Sequence, residues 1–211
     1  MSNPIWDQSI RNFLEQAGSS SPTPGGGSAA AVAAALGAAM TSMAGSLSQG
    51  EKFAAFQPQI TQVLQEMKEL TGECERLLQA DIASFDQYMD ALKLPKQTDE
   101  EKQYRKNTLH HAILQAIAVP LRLITVCRTG MAHARSIAEI SNKNVISDLG
   151  IGIILLEAAA QSALLTVEIN LASLKDPEQV RPYREELSAL MEEIYELKSS
   201  TLQIVHTRIS E

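Results

Sequence analysis

The stretch from Ser19 to Met40, SSSPTPGGGSAAAVAAALGAAM, restricts this chain more than any other. Pro22 and Pro24 cannot lie inside a helix, and each pushes the residue before it into extended geometry. Gly25, Gly26 and Gly27 carry no Cβ, so a backbone or a flat ligand can approach them closely. A helix made almost wholly of alanine comes next, with Ser28 or Thr23 available as its cap. Side chains this small fill a core only when neighbouring helices come in close. A glycine hinge joined to an alanine helix therefore places backbone against something.

Composition selects the class of fold around that hinge. Apolar residues make up 45% of the 211 and aromatics 4%, and β-branched residues never alternate as they do in strands. The chain reads as all-α. A formal net charge of -7 and the lack of a basic tract argue against a nucleic-acid partner. Cys74 and Cys127 lie far apart with no CxxC spacing, which suggests neither zinc nor a disulfide framework and fits a reduced, cytoplasmic setting. The first residues, MSNPIWDQSIRNFLEQ, are amphipathic and carry acids, unlike a secretory leader. The run from Ala29 to Gly45 comes nearest to a membrane span. It falls short of the ~20 residues needed, so a buried helix and no membrane are expected.

The remaining chain divides into long helical segments. Pro4 to Ala17 reads as a short amphipathic helix. The alanine helix runs to about Leu47, where Ser48, Gln49 and Gly50 stop it. The next helix spans Pro58 to about Leu94, with Leu78, Ile82, Phe85, Met89 and Leu92 forming one apolar stripe. Thr98 with Glu101 makes a capping box that opens a helix toward Ile140, with a kink expected at Pro120. The polar break SNKNVISD separates it from an apolar helix over Val145 to Ser173. Asp176 caps the last helix and Pro177 takes its first position. These segments predict one domain over 1–211: an up-and-down bundle of about five long antiparallel helices plus a short N-terminal helix.

Three groups of residues have chemical potential. Asp81 lies about 60° from Leu78 on the helical wheel, at the edge of the apolar stripe. Partial burial there raises a carboxyl pKa toward neutrality and suits proton transfer, while the plainer reading is an acid paired to a neighbouring helix. Asp86, Asp90 and Lys93 read as a solvated face. Asn142, Asn144, Ser147 and Asp148 are either helix caps or ligand contacts. Glu157, Gln161 and Glu168 share one side of an otherwise apolar helix, which is either a lined cleft or, the favoured reading, its wet face. The four histidines have no metal-ligand spacing, and the glycine run lacks the GK[ST] ending of a phosphate loop.

The motifs together resemble the cyclodeaminase/cyclohydrolase family. These are the C-terminal domain of formiminotransferase-cyclodeaminase and the free-standing methenyltetrahydrofolate cyclohydrolases. The resemblance runs through SPTPGGGSAAA, ADIASFDQYMDALKLPKQTDEEK, AVPLRL, NKNVISDLGIGIILLEAA and INLASLKD, in family order. It implies a homodimer of long-helix bundles and a folate one-carbon enzyme. The activity implied is 5-formiminotetrahydrofolate cyclodeamination to 5,10-methenyltetrahydrofolate and ammonia. The alternatives are methenyltetrahydrofolate cyclohydrolase, or a non-catalytic helical dimer or binding module. A tetrahydrofolate derivative is then the substrate, with no tightly bound cofactor and no metal. Asp81 matches the family's D-x-x-x-F block as proton donor and acceptor. Thr23, Pro24, Gly25, Gly26 and Gly27 match the hinge, Asn144 and Asp148 match a pterin-binding break, and Lys93 and Lys96 are assigned to the glutamate tail.

Overall fold

The computed structural model describes residues 5–211, and every regular element among them is helical. The expected N-terminal helix begins at Pro4, which lies outside the described residues. From Ile5 onward the segment forms two pieces, a 3₁₀ turn over Ile5–Asp7 and helix α1 over Ile10–Ala17. Ser9 separates them because its hydroxyl accepts the N–H of Asn12 and caps α1. Five long helices come next: α2 (Gly26–Ser46), α3 (Gln57–Lys93), α4 (Asp99–Ile137), α5 (Ile146–Leu171) and α6 (Pro177–Ser210).

The expected start signals of α4 and α6 hold. Thr98 and Glu101 form the capping box reciprocally, and Asp176 caps α6 ahead of Pro177. Helix α4 runs unbroken through Pro120. The sequence reading missed a 3₁₀ segment, Glu51–Phe56, that leads into α3.

Cross-helix contacts set the chain directions. Ser28, at the start of α2, meets Asp81 late in α3, so these two helices run antiparallel. Gln59, early in α3, donates to Ser136 O late in α4. Gly37 faces Leu156, and Thr41 faces Gly152, so α5 descends beside α2. Arg208, near the end of α6, donates to the Ala138 and Ser141 carbonyls near the end of α4. Four helices, α2 to α5, close on themselves through the α2–α5 pair, and α6 packs outside against α4 and α5.

The alanine helix packs as its side chains require. A Cβ at Gly37 would overlap the Leu156 side chain and the Gly152 carbonyl, and one at Gly152 would overlap Thr41. The α2 and α5 backbones touch there. The larger core residues, among them Ile60, Met67, Leu78, Ile124, Met131, Ile153 and Leu156, fill the space beyond that contact.

Two expectations change. At 21 residues α2 is long enough to cross a membrane, as are α4 and the segment Lys143–Leu171, so its length excludes nothing; half of the apolar window in α2 is buried inside the bundle. The apolar stripe of α3 is buried at Leu78 but surfaces at Met89 and Leu92. Helix α3 has 37 residues against 21 in α2, so its last turns outrun the neighbour that covers them.

Candidate active site

The hinge and Asp81 come together. Gly25 caps α2 without a side-chain hydrogen bond, which leaves the first N–H groups of that helix needing an acceptor. Asp81 supplies it from α3. Its Oδ2 accepts from the Ser28 hydroxyl at 2.9 Å, and the Ser28 backbone N–H also donates to the carboxylate. The positive end of α2 points at this acid. Neither Ser28 nor Thr23 caps α2 as expected: Gly25 holds the cap position, and the fully buried Ser28 reaches across to α3 instead.

Gly27 explains why the hinge needs glycine. A Cβ there would overlap the Asp81 carboxylate. A Cβ at Gly26 meets nothing within 4 Å, so that residue is open to whatever approaches from outside. The Thr23–Pro24 peptide is cis, and Pro24 is buried.

Burial is the largest influence on Asp81. It pushes the carboxyl above the ordinary carboxylate range, and the two Ser28 hydrogen bonds only partly oppose it. The cleft beside it has a volume of about 360 Å³ and is walled by Thr23, the three glycines, Ser84, Phe85, Tyr88, Thr166, Ile169 and Asn170. An acid whose pKa burial raises, in a cleft with a glycine floor and an aromatic wall, is placed to exchange a proton with a planar heterocycle.

Other predicted residues lie elsewhere. Asn142 caps the turn Lys143–Val145, and its side chain donates to Leu47 O while its N–H donates to Ser48 Oγ. This break clasps the far end of α2, with Asn144 exposed and Asp148 half-buried. Nineteen residues of α2 separate Ser28 from Leu47, about 29 Å. One chain therefore does not bring Asn144 or Asp148 to Asp81. The helix junction there is closed by Asn142, a role that local spacing does not distinguish from ligand binding. Lys93 is exposed and paired to Asp90 at 2.8 Å, on the solvated face expected for it. Lys96 lines a separate cavity with Lys102, Arg105, Lys106, His110 and Lys175, between the N-terminal half of α4 and the α5–α6 junction. Glu157 pairs with Lys198 of α6 at 3.0 Å, while Gln161 and Glu168 are exposed as expected. Beside them the surface of α5 is unexpectedly apolar: Ile154, Leu165 and Ile169 are exposed, the last at 70%, and an open groove joins Leu165 and Ile169 to Ala29 and Ala33 of α2.

Sequence reasoning did not place Ser28 as a partner of Asp81, nor Asn170 in the cleft wall. The available signal for Ser28 was a lone hydroxyl at the mouth of an alanine run.

Comparisons with known proteins agree with this architecture. Residues 9–189 match the family described as formiminotransferase-cyclodeaminase. The chain is 36% identical over 205 residues to a methenyltetrahydrofolate cyclohydrolase of Methylorubrum extorquens, covering 97% of this chain and 99% of that one. It is 33% identical over 190 residues to the formimidoyltransferase-cyclodeaminase of Rattus norvegicus, covering 90% of this chain and 35% of that one, so it spans about a third of that relative. A formiminotetrahydrofolate cyclodeaminase structure from Thermotoga maritima shares the fold with a TM-score of 0.80 at 24% identity, covering 98% of both chains. With a family match over most of its length and a helical bundle of the same shape, this chain belongs to the formiminotransferase-cyclodeaminase family.

Proposed function

We propose that this chain acts on the one-carbon bridge between N5 and N10 of tetrahydrofolate, as a 5-formiminotetrahydrofolate cyclodeaminase with Asp81 as its acid–base group. The observation that carries the reading is the half-buried Asp81 carboxylate, which takes hydrogen bonds from Ser28 and faces the glycine hinge. In the cyclodeaminase direction N10 attacks the formimino carbon and forms a tetrahedral centre. Asp81 takes the proton from N10, then returns a proton to the departing amine. The C–N bond to that amine breaks, releasing ammonia and leaving the methenyl bridge.

A second reading is favoured by the Methylorubrum extorquens relative, which matches this chain end to end. In that reading water attacks the methenyl carbon and gives its proton to Asp81. The hydroxyl of the resulting tetrahedral carbon then loses its proton to solvent as the C=O forms, the bond to N5 breaks, N5 takes the proton held by Asp81, and 10-formyltetrahydrofolate forms. Both reactions use the same carboxylate at the same carbon. The hinge glycines let the ring lie against backbone, and the glutamate tail runs along the α4–α5 seam toward the cavity of Lys96, in place of Lys93.

The exposed apolar groove between α2 and α5 supports a homodimer, with a second copy covering Leu165 and Ile169. Sedimentation that gave a monomer at micromolar concentration would refute that assembly. For the activity, the decisive measurement is near-ultraviolet absorbance of the methenyl product. Its appearance from the formimino substrate indicates cyclodeamination, its decay beyond the uncatalysed rate indicates hydrolysis, and neither signal would refute the reading.

A further inference from the structure

Asn170 stands in the wall of the Asp81 cleft with its amide clamped. Its Nδ2 donates to the carbonyl of Ala116 at 2.8 Å. That carbonyl is free because of a residue one turn further along α4. In an α-helix the carbonyl of residue 116 accepts the N–H of residue 120. Residue 120 is proline, which has no N–H to give. Pro120 is buried within α4, and α4 continues past it without a break. The proline thus leaves an acceptor on the flank of α4, and α5 answers it with Asn170.

The clamp fixes which end of the amide is left over. A carbonyl only accepts, so the NH₂ of Asn170 must face Ala116, and Oδ1 is the remaining polar atom. No described residue donates a hydrogen bond to that oxygen. The cleft therefore carries two acceptors of fixed direction on different helices: the Asp81 carboxylate from α3 and the Asn170 oxygen from α5.

We propose that Asn170 orients the substrate by accepting a hydrogen bond from a ring N–H, and that Pro120 is the residue that positions it. The proposal rests on the Asp81 cleft being the substrate site; with a folate there, the donor is an N–H of the reduced pterin ring. Pro120 then has a role that its cost to the helix would otherwise oppose. It is kept for the acceptor it exposes.

The test is steady-state kinetics and melting temperature on the full chain for Asn170→Ala, Pro120→Ala and the double variant, with 5-formiminotetrahydrofolate or methenyltetrahydrofolate as the substrate, whichever the absorbance assay shows is turned over. Losing one hydrogen bond to an uncharged donor raises KM about three- to tenfold in Asn170→Ala, with kcat nearly unchanged. Pro120→Ala restores the helical N–H, occupies Ala116 and frees the amide to turn. KM rises by a smaller factor while the melting temperature holds or increases, since an interior proline opposes the helix. In the double variant Pro120→Ala adds nothing further to KM, because the residue it positions is gone. An unchanged KM in Asn170→Ala with a lowered melting temperature would make Asn170 a staple between α4 and α5 and overturn the proposal. So would Pro120 and Asn170 effects that simply multiply. If Asp81→Asn keeps full turnover, the cleft reading falls and this inference with it. If Asp81→Asn is inactive and Asn170→Ala is normal, this inference alone fails.

Discussion

Two acids on α3 stand in opposite electrostatic states. Glu73 accepts from Arg76 at 2.8 and 2.6 Å and from Arg122 of α4 at 3.1 Å. The Arg76 hydrogen bond does most to hold it below the ordinary range for glutamate, against a smaller push from burial. Asp81 is eight residues on and about 80° round the helix. It faces the start of α2, where its hydrogen-bond donors are the hydroxyl and N–H of Ser28, and burial raises its pKa. Glu73 is a permanent anion at neutral pH and has no proton to lend. Asp81 is shifted the other way, since burial favours its protonated form. Position on the helix wheel decided which neighbour each acid met, and the neighbour decided its chemistry.

The sharpest way to break this contrast is Asp81→Asn. The amide keeps the size and an acceptor for Ser28 but loses the proton that titrates. Turnover is expected to fall about 10²–10⁴-fold, with folate affinity little changed. Retained turnover would remove Asp81 from the chemistry. Lost turnover together with a collapsed melting temperature would make it a tertiary cap for α2 instead.

Gly27→Ala has the next largest effect. The new Cβ overlaps the Asp81 carboxylate, so the acid or the hinge must move. A loss of roughly 1–3 kcal/mol in stability is expected alongside reduced turnover, as for overpacking elsewhere. Gly26→Val is the paired control. Its Cβ has open space within the chain, so stability is expected to hold while activity falls, because the ligand or a second copy approaches there. Equal losses of activity and melting temperature at Gly26 would make the hinge purely structural.

Stability against pH separates the two acids more gently. The folded-state pKa of Asp81 lies above its ordinary value of 3.8, so the native chain binds more protons than the unfolded one between that value and the raised one. Its contribution makes stability fall as pH rises through that window, and Asp81→Asn is expected to flatten the slope. Glu73 does the reverse. Its folded pKa is depressed, so its contribution is present above 4.5 and fades as pH drops through the lowered value. Calorimetric melting of Asp81→Asn and Glu73→Gln against the unaltered chain between pH 3 and 7 reads the two contributions, and contributions of the same sign would contradict the contrast.

The smallest expected effect is that of Glu73→Gln at neutral pH. Arg76 and Arg122 are largely solvent-exposed, so the pairs are screened. A change of about 0–1 kcal/mol and unaltered turnover are expected. A large loss of turnover would place Glu73 in the active machinery.

The sequence by itself determined the local events. Pro177, the Thr98–Glu101 box, Asp176 and the stop near Leu47 act through bonds within a few residues, so helix boundaries are readable from neighbours in the chain. The glycine hinge and the edge position of Asp81 were readable for the same reason, since each is a property of one turn or one helical wheel. Tertiary structure alone decided the partners. Nothing near residue 28 shows that its hydroxyl spans 53 positions to Asp81, or that the proline at 120 frees a carbonyl for an amide at 170. It also decided that Asn144 and Asp148 lie in the break beside the far end of α2, which Asn142 clasps about 29 Å from Ser28. Helix termini are set by hydrogen bonds inside a turn, whereas a site is set by which helix faces meet. That meeting depends on how closely small side chains such as Gly37 and Gly152 let α2 and α5 approach.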